Sequence, residues 1–229
     1  MSASASARAG YHHGDLRNAL IRAAAELARE GGPHSVTIRA AARAVSVTPT
    51  AAYRHFAGHE ELLEATREQA MAQMTEAMNA ELARLPDATD PVRRGLRNLA
   101  AVGLGYLKFA TAEPGLFRTC FSNPANTHHT TENVMEVWTS EPFTKAIAVI
   151  DELAEAGYLP PERRPMAEVA IWSTVHGLAM LFLDGPLQEA DEQTRQLAVE
   201  RSFEVTAVGL GAAPLTPELR EDLLAVLRQ

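Results

Sequence analysis

The chain has 229 residues, of which 46% are hydrophobic and 22% charged, a composition that excludes wholesale disorder and can bury a full core in one or two domains. Its net charge of −8 is unevenly placed: residues 1–56 carry seven arginines against Asp15, Glu26 and Glu30, while the remainder carries 14 basic and 26 acidic residues. A single cysteine, Cys120, excludes an intrachain disulfide framework and fits a reducing cytoplasm, and the most apolar run, Val169–Leu183, is interrupted by His176 and too short to span a bilayer.

Helical rather than alternating periodicity predicts an all-α protein. Residues 1–10, rich in Ser and Ala, lack the apolar stretch of a signal peptide and read as a flexible tail. A first helix is predicted from Gly14-Asp15 to Glu30, burying Leu16, Ala19, Leu20, Ala23, Ala24 and Leu27, with Asp15 at the positive end of its dipole. Tyr11, His12, His13 and Arg17 surround its start, and an arm that meets a phosphate backbone suits them better than a metal site.

The next stretch, Thr37–Phe56, reads as two short helices joined at Val45-Ser46-Val47. Thr37 and Thr48 are N-caps, and Pro49 takes a first helical position, where its missing N–H costs nothing. Ile38, Ala41, Ala42, Val45, Ala52 and Phe56 form the apolar side. Pro49, Thr50, Tyr53, Arg54 and His55 then face outward, and Arg39 and Arg43 share another face. A helix start that is small, polar and aromatic, with an arginine one turn in, can enter a major groove, whereas the bland alternative is a solvated hairpin. The basic end on an acidic body favours nucleic acid.

A long helix follows from Gly58 to Arg84, with apolar positions that wander around it. Pro86–Pro91 is a loop, a helix spans 91–112, and Glu113-Pro114-Gly115 breaks it. Leu116–Phe121 is a short helix or turn and Ser122–Thr131 a loop. A helix over 131–156 is expected to bend at Pro142, and helices over 163–184 and 191–210 precede a last one capped by Thr216.

The segments YHHGDLRNALIRAAAELAREGG and VTIRAAARAVSVTPTAAYRHFAGHEELLEA resemble the DNA-binding domain of the tetracycline-repressor (TetR) family of bacterial regulators. Gly31-Gly32, Thr37-Ile38-Arg39, Val47, Tyr53-Arg54-His55-Phe56, Glu60 and Leu62-Leu63 carry the likeness. Tyr106–Ala110, Glu113–Arg118, Trp172 and His176-Gly177 resemble one regulatory subgroup, of Trp-His-Gly type. Ser46 stands where the family usually has glycine, and His59 where it usually has a phosphate-contacting lysine.

The resemblance implies a helix-turn-helix domain over 11–57 and a helical regulatory and dimerisation domain over 58–229. It implies a repressor that binds a palindromic operator as a homodimer joined through 163–184 and 191–210, and that a small-molecule effector releases. The expected DNA contacts are Arg17, Thr37, Arg39, Thr48, Pro49, Thr50, Tyr53, Arg54, His55 and His59. The expected ligand residues are Phe109, Phe117, Phe121, Trp138, Trp172 and His176, from a wider set of middle-helix residues that includes Met135, Phe143 and Met180 and that would serve equally well as core. Neither a cofactor nor a metal is expected. The rival class is a helical enzyme or ligand-binding protein using Cys120 or His176, although no motif places a partner beside either.

Overall fold

The computed structural model describes residues 13–122, 138–211 and 213–229, with the side chains of 13–15 left out. The expected flexible tail, Tyr11, His12, Met135 and most of the expected loop after Ser122 therefore lie outside the described residues. Every regular element described is helical, as the periodicity predicts.

Three helices form the N-terminal head: α1 (His13–Gly31), α2 (Ile38–Ala44) and α3 (Pro49–Ala52). Leu20, Ala24 and Ala28 of α1 meet Ile38, Ala41, Ala42, Ala52 and Phe56 in one buried cluster. The small alanines let the short helices approach closely, and Phe56 fills the space between them. Thr37 and Thr48 cap α2 and α3, their hydroxyls accepting from Ala40 N at 3.1 Å and Ala51 N at 3.2 Å.

α2 ends in a left-handed residue. Ser46 has φ of 56°, Val47 N donates to Ala42 O at 2.9 Å, and Ser46 N donates to Arg43 O at 3.1 Å. This is a Schellman closure, which satisfies the carbonyls at the helix end at the cost of strain in a residue with a Cβ. The turn thus keeps the geometry that glycine favours without the glycine.

The body consists of α4 (His59–Leu82), α5 (Pro91–Ala112), α6 (Pro114–Cys120), α7 (Glu141–Glu155), α8 (Ala167–Leu183), α9 (Glu192–Leu210) and α10 (Pro217–Leu227). α5 is its axis, packing against α4, α6, α7, α8 and α10. That position explains its long buried run from Leu99 to Leu107. α4 and α5 touch through their backbones: a Cβ on Gly105 would stand 2.5 Å from Met78 Cα. α10 is held to the outside of this core by Asp222, 2.6 Å from both Arg93 and Arg97.

The expected helix over 131–156 is interrupted at Ser140, between helical residues 138–139 and Glu141, and its stretch 131–137 lies outside the described residues. α7 starts at Glu141 after the extended residue Ser140, so the proline occupies the first turn, where its lack of an N–H is harmless. The apparent wandering of α4 also has a reason. Leu62, Thr66, Ala70, Met74 and Met78 form one buried stripe, flanked by Leu63, Met71 and Thr75, because α4 packs on the head at its start and on α5 and α7 farther along. Thr66 and Thr75 are buried because each hydroxyl donates back to the carbonyl four residues earlier, Leu62 O at 2.7 Å and Met71 O at 3.2 Å.

Candidate functional site: a basic hairpin and an aromatic chamber

The hairpin continues past α3 in helical form, since Tyr53 N donates to Pro49 O at 2.9 Å and Phe56 N to Ala52 O at 3.1 Å. With Ala52 and Phe56 buried, Pro49, Thr50, Tyr53 and Arg54 are left exposed, Tyr53 at 51%. Thr37, Arg39, Thr48 and His59 are exposed as well, and His55 is half-buried. Each capping threonine uses a lone pair on its helix, which leaves the O–H free to donate to an acceptor such as phosphate.

Arginine pairing separates this surface from the rest of the molecule. Among the described residues, Arg39, Arg43 and Arg54 are the arginines whose side chains have no hydrogen-bond or ion-pair partner. In the body the pattern is the opposite: Arg67 meets Glu64, Arg118 meets Asp184, Arg164 meets Asp151 and Glu168, and Arg220 meets Glu204. Three unpaired guanidiniums on one small head are fork-shaped donors without an internal acceptor. Arg43 was absent from the expected contacts, although its spacing of four from Arg39 already placed the two on one face. Arg17 is tethered, its guanidinium 4.7 Å above the Phe56 ring and 3.6 Å from Glu61. Glu61 also accepts from Ala57 N at 2.6 Å, so it closes the start of α4.

In the body, five of the six expected ligand residues come together. Ring centroids of Phe117 and Phe121 lie 5.2 Å apart, Phe121 and His176 4.8 Å, Trp172 and His176 5.4 Å, and Trp138 and Trp172 5.7 Å. Tyr106 and Phe143 complete the cluster, at 5.5 Å from Phe117 and 5.0 Å from Trp172. Phe109 is placed elsewhere, beside a shallow groove with Arg29, Gln73 and Glu113.

Tyr106 is the polar centre of the chamber, its oxygen 2.8 Å from His176 Nδ1 and 3.4 Å from Trp172 Nε1. The indole can only donate, so the phenol accepts from it, and the phenol and the imidazole share a second hydrogen bond. Burial pushes the Tyr106 pKa up and the His176 pKa below its usual value, which keeps both neutral. Cys120 is fully buried, and desolvation pushes its pKa up, so it stays a thiol rather than a nucleophile. Among the described residues no three His, Cys, Asp or Glu side chains converge as a metal site would require, and no helix is long and apolar enough to cross a membrane.

Beyond Tyr106 and Trp172 lies an apolar cavity of about 50 Å³ between α4, α5, α7, α8 and α9. Its wall includes Met78, Leu99, Val102, Phe143, Ile147, Ile171, Val175 and Phe203. Trp172 alone of the expected ligand residues lines it. The aliphatic members were invisible as site residues because any helical core shows the same periodicity.

Residues 20–66 match the model of bacterial regulatory proteins of the tetR family, and residues 99–208 match the tetracyclin repressor-like C-terminal domain. The chain belongs to the TetR family. It is a DNA-binding transcription regulator, with a helix-turn-helix head and a helical C-terminal domain. Solved TetR-like structures share its fold. A protein of unknown function from Rhodococcus sp. RHA1 is 23% identical with a TM-score of 0.69, the match covering 88% of this chain and 98% of that one. A TetR family transcription regulator from Marinobacter aquaeolei VT8 is 20% identical with a TM-score of 0.59, over 83% and 95% of the two chains. A TetR variant from Acinetobacter baumannii AYE, solved in complex with minocycline, is 23% identical with a TM-score of 0.54, over 83% and 93%. No curated protein sequence matches the chain.

Proposed function

We propose that this TetR-family regulator is a repressor, reading a palindromic operator as a homodimer and released by a small-molecule effector. The observation that carries the DNA-reading part is the set of unpaired arginines on the exposed face of the hairpin. In this reading residues 11–57 form the head and 58–229 the body, with Trp172 and His176-Gly177 marking a regulatory domain of Trp-His-Gly type. Arg39 and Arg54 donate to guanine edges while Pro49 and Thr50 touch thymine methyls. Arg17, Thr37, Thr48, Tyr53, His55 and His59 hold phosphates.

Two uncovered helix faces support the dimer. On α8, Ala170, Ser173, Gly177 and Leu181 are exposed along one stripe, and a Cβ on Gly177 would meet nothing within 4 Å. On α9, Leu197 and Val205 are 61% and 62% exposed. Large apolar side chains exposed together on adjacent helices mark an interface rather than a solvent face. The body contains an aromatic chamber beside an apolar cavity, and the Acinetobacter relative was solved in complex with a small molecule, minocycline. Here the candidate residues are Phe117, Phe121, Trp138, Trp172 and His176, with Phe109 farther off.

Selection of bound DNA from a random pool, followed by fluorescence anisotropy on the selected site and on a shuffled duplex, tests the reading. Arg54→Ala should cost about 1–3 kcal/mol on the selected site and far less on the shuffled one. Equal losses on both would leave Arg54 as a phosphate contact and remove the base-reading role.

A further inference from the structure

We propose that the effector cavity of this chain takes an uncharged, hydrocarbon-like molecule no larger than about one six-membered ring with a short chain, and excludes anions and cations of the same shape. The inference rests on the effector reading given above and narrows it to a chemical class. Its basis is the fate of every polar group at the cavity wall. Among the described residues, only Tyr106, Trp172 and Glu168 bring hydrogen-bonding side chains to it. The Tyr106 hydroxyl is already engaged by His176 at 2.8 Å and by the Trp172 indole at 3.4 Å. The Glu168 carboxylate is held by Arg164 at 2.8 Å, and that guanidinium also holds Asp151. A cationic ligand would have to share Glu168 with the Arg164 guanidinium, whose charge repels it, and an anionic one would find no free donor. A charge brought out of water into such a wall has no partner there and is rejected.

Size adds a second constraint. The cavity measures about 50 Å³, whereas one that accepts a benzene ring is roughly 150 Å³. A ring-sized ligand must therefore push one wall outward. The α5 wall cannot yield, because α5 lies against α4 backbone at Gly105 and against the Phe203 ring at Gly103, where a Cβ would come within 2.4 Å of the ring. The α7 wall can, since Ala146 and Ile147 are half-buried and their helix starts afresh at Glu141. The first turn of α7 borders α4 across a groove lined by Glu64, Glu68 and Met71. Ligand volume is thus delivered to the helix that continues into the head.

The test uses four probes of one shape: propylbenzene, 3-phenylpropan-1-ol, 3-phenylpropanoate and 3-phenylpropylamine. Trp138 and Trp172 are the two tryptophans of the chain, and both border the chamber, so their fluorescence in the full-length protein reports binding. Propylbenzene should give saturable quenching, the alcohol should bind a few-fold more weakly, and both ions at least tenfold more weakly. Ala146→Phe, filling the α7 side, should weaken propylbenzene at least tenfold. If that variant melts early, Val102→Leu replaces it and should weaken binding in the same direction. Equal or tighter binding of either ion would overturn the uncharged class while leaving the cavity as the effector site. Binding of none of the four up to their solubility would overturn both. Quenching by propylbenzene that is unchanged in a folded cavity-filling variant would place the ligand elsewhere and overturn the proposal.

Discussion

Ser46 is the residue at which chemistry and geometry disagree most openly. Its φ of 56° belongs to the left-handed region, where a Cβ costs roughly 1–2 kcal/mol, and the closure of α2 demands that conformation all the same. Ser46→Gly relieves the strain and returns part of the gain as backbone entropy in the unfolded chain, for a net stabilisation of about 0.5–1 kcal/mol. Chemical denaturation of the full chain should show the rise, with the unfolding slope unchanged. The resemblance singled out the position, because the family usually has glycine there, but only the backbone shows that serine adopts the left-handed conformation.

His176 makes a second residue-scale prediction. Burial holds its folded pKa below the ordinary value near 6.5, so between the two the unfolded chain binds a proton that the folded chain does not. Stability contributed by this site is therefore complete above about pH 7 and declines as the pH falls through 6.5 toward the lower folded value. Thermal melts between pH 7.5 and 5 should fall less steeply for His176→Gln than for the wild type. An identical slope in the two proteins would mean that another group carries the pH dependence. The sequence placed His176 in an apolar run but could not name its partner, because Tyr106 lies 70 residues away and only packing joins them.

At the scale of elements, the crossing of α4 and α5 places the cavity wall against the helix that starts beside the hairpin. Met78 of α4 contributes to the cavity wall, and α4 begins at His59 beside the hairpin. Next to Met78, the absent side chain of Gly105 allows backbone-to-backbone contact. Gly105→Ala forces a Cβ against Met78 Cα and Ala77 O, atoms that cannot rotate away, so α4 must shift as a body. The substitution should cost about 1–3 kcal/mol of stability and lower operator affinity. Gly95→Ala is the control: its Cβ meets mainly the Leu153 side chain, which can re-pack, so operator affinity should stay near wild type. Denaturation and anisotropy on both variants separate the two cases. A second link joins head to body, since Arg29 at the end of α1 reaches Glu113 at 2.7 Å. Helix ends announced by caps and prolines were readable in advance, as at Thr48-Pro49, Asp90-Pro91 and Thr216-Pro217. At Pro142 a proline after a polar residue signals either a kink or a first turn, and only the extended backbone of Ser140 shows that the chain breaks there before α7 begins.

For the whole molecule, the uneven charge has a concrete counterpart. The acidic body neutralises its arginines internally, whereas the head leaves Arg39, Arg43 and Arg54 to the outside. Binding to an operator then depends on two heads held at a fixed distance, and the uncovered stripes of α8 and α9 are the proposed means. Leu197→Glu combined with Val205→Glu should yield a folded monomer in sedimentation experiments and abolish tight operator binding, because a palindrome is read only by linked heads. A dimer persisting in the double variant would move the interface elsewhere.

Local chemistry was enough for the helical class, the hairpin with its caps and buried alanines, and the outward placement of Pro49, Thr50, Tyr53 and Arg54. Those features depend on residues within a few turns of one another, so their pattern is written in spacing and turn type. Packing alone decided the rest. It selected which arginines remain unpaired, gathered Phe117, Phe121, Trp138, Trp172 and His176 around Tyr106 while sending Phe109 to another groove, and shaped the aliphatic cavity behind them. These outcomes hang on contacts between helices far apart in the chain, and an apolar side chain shows the same helical periodicity whether it fills a core or lines a site.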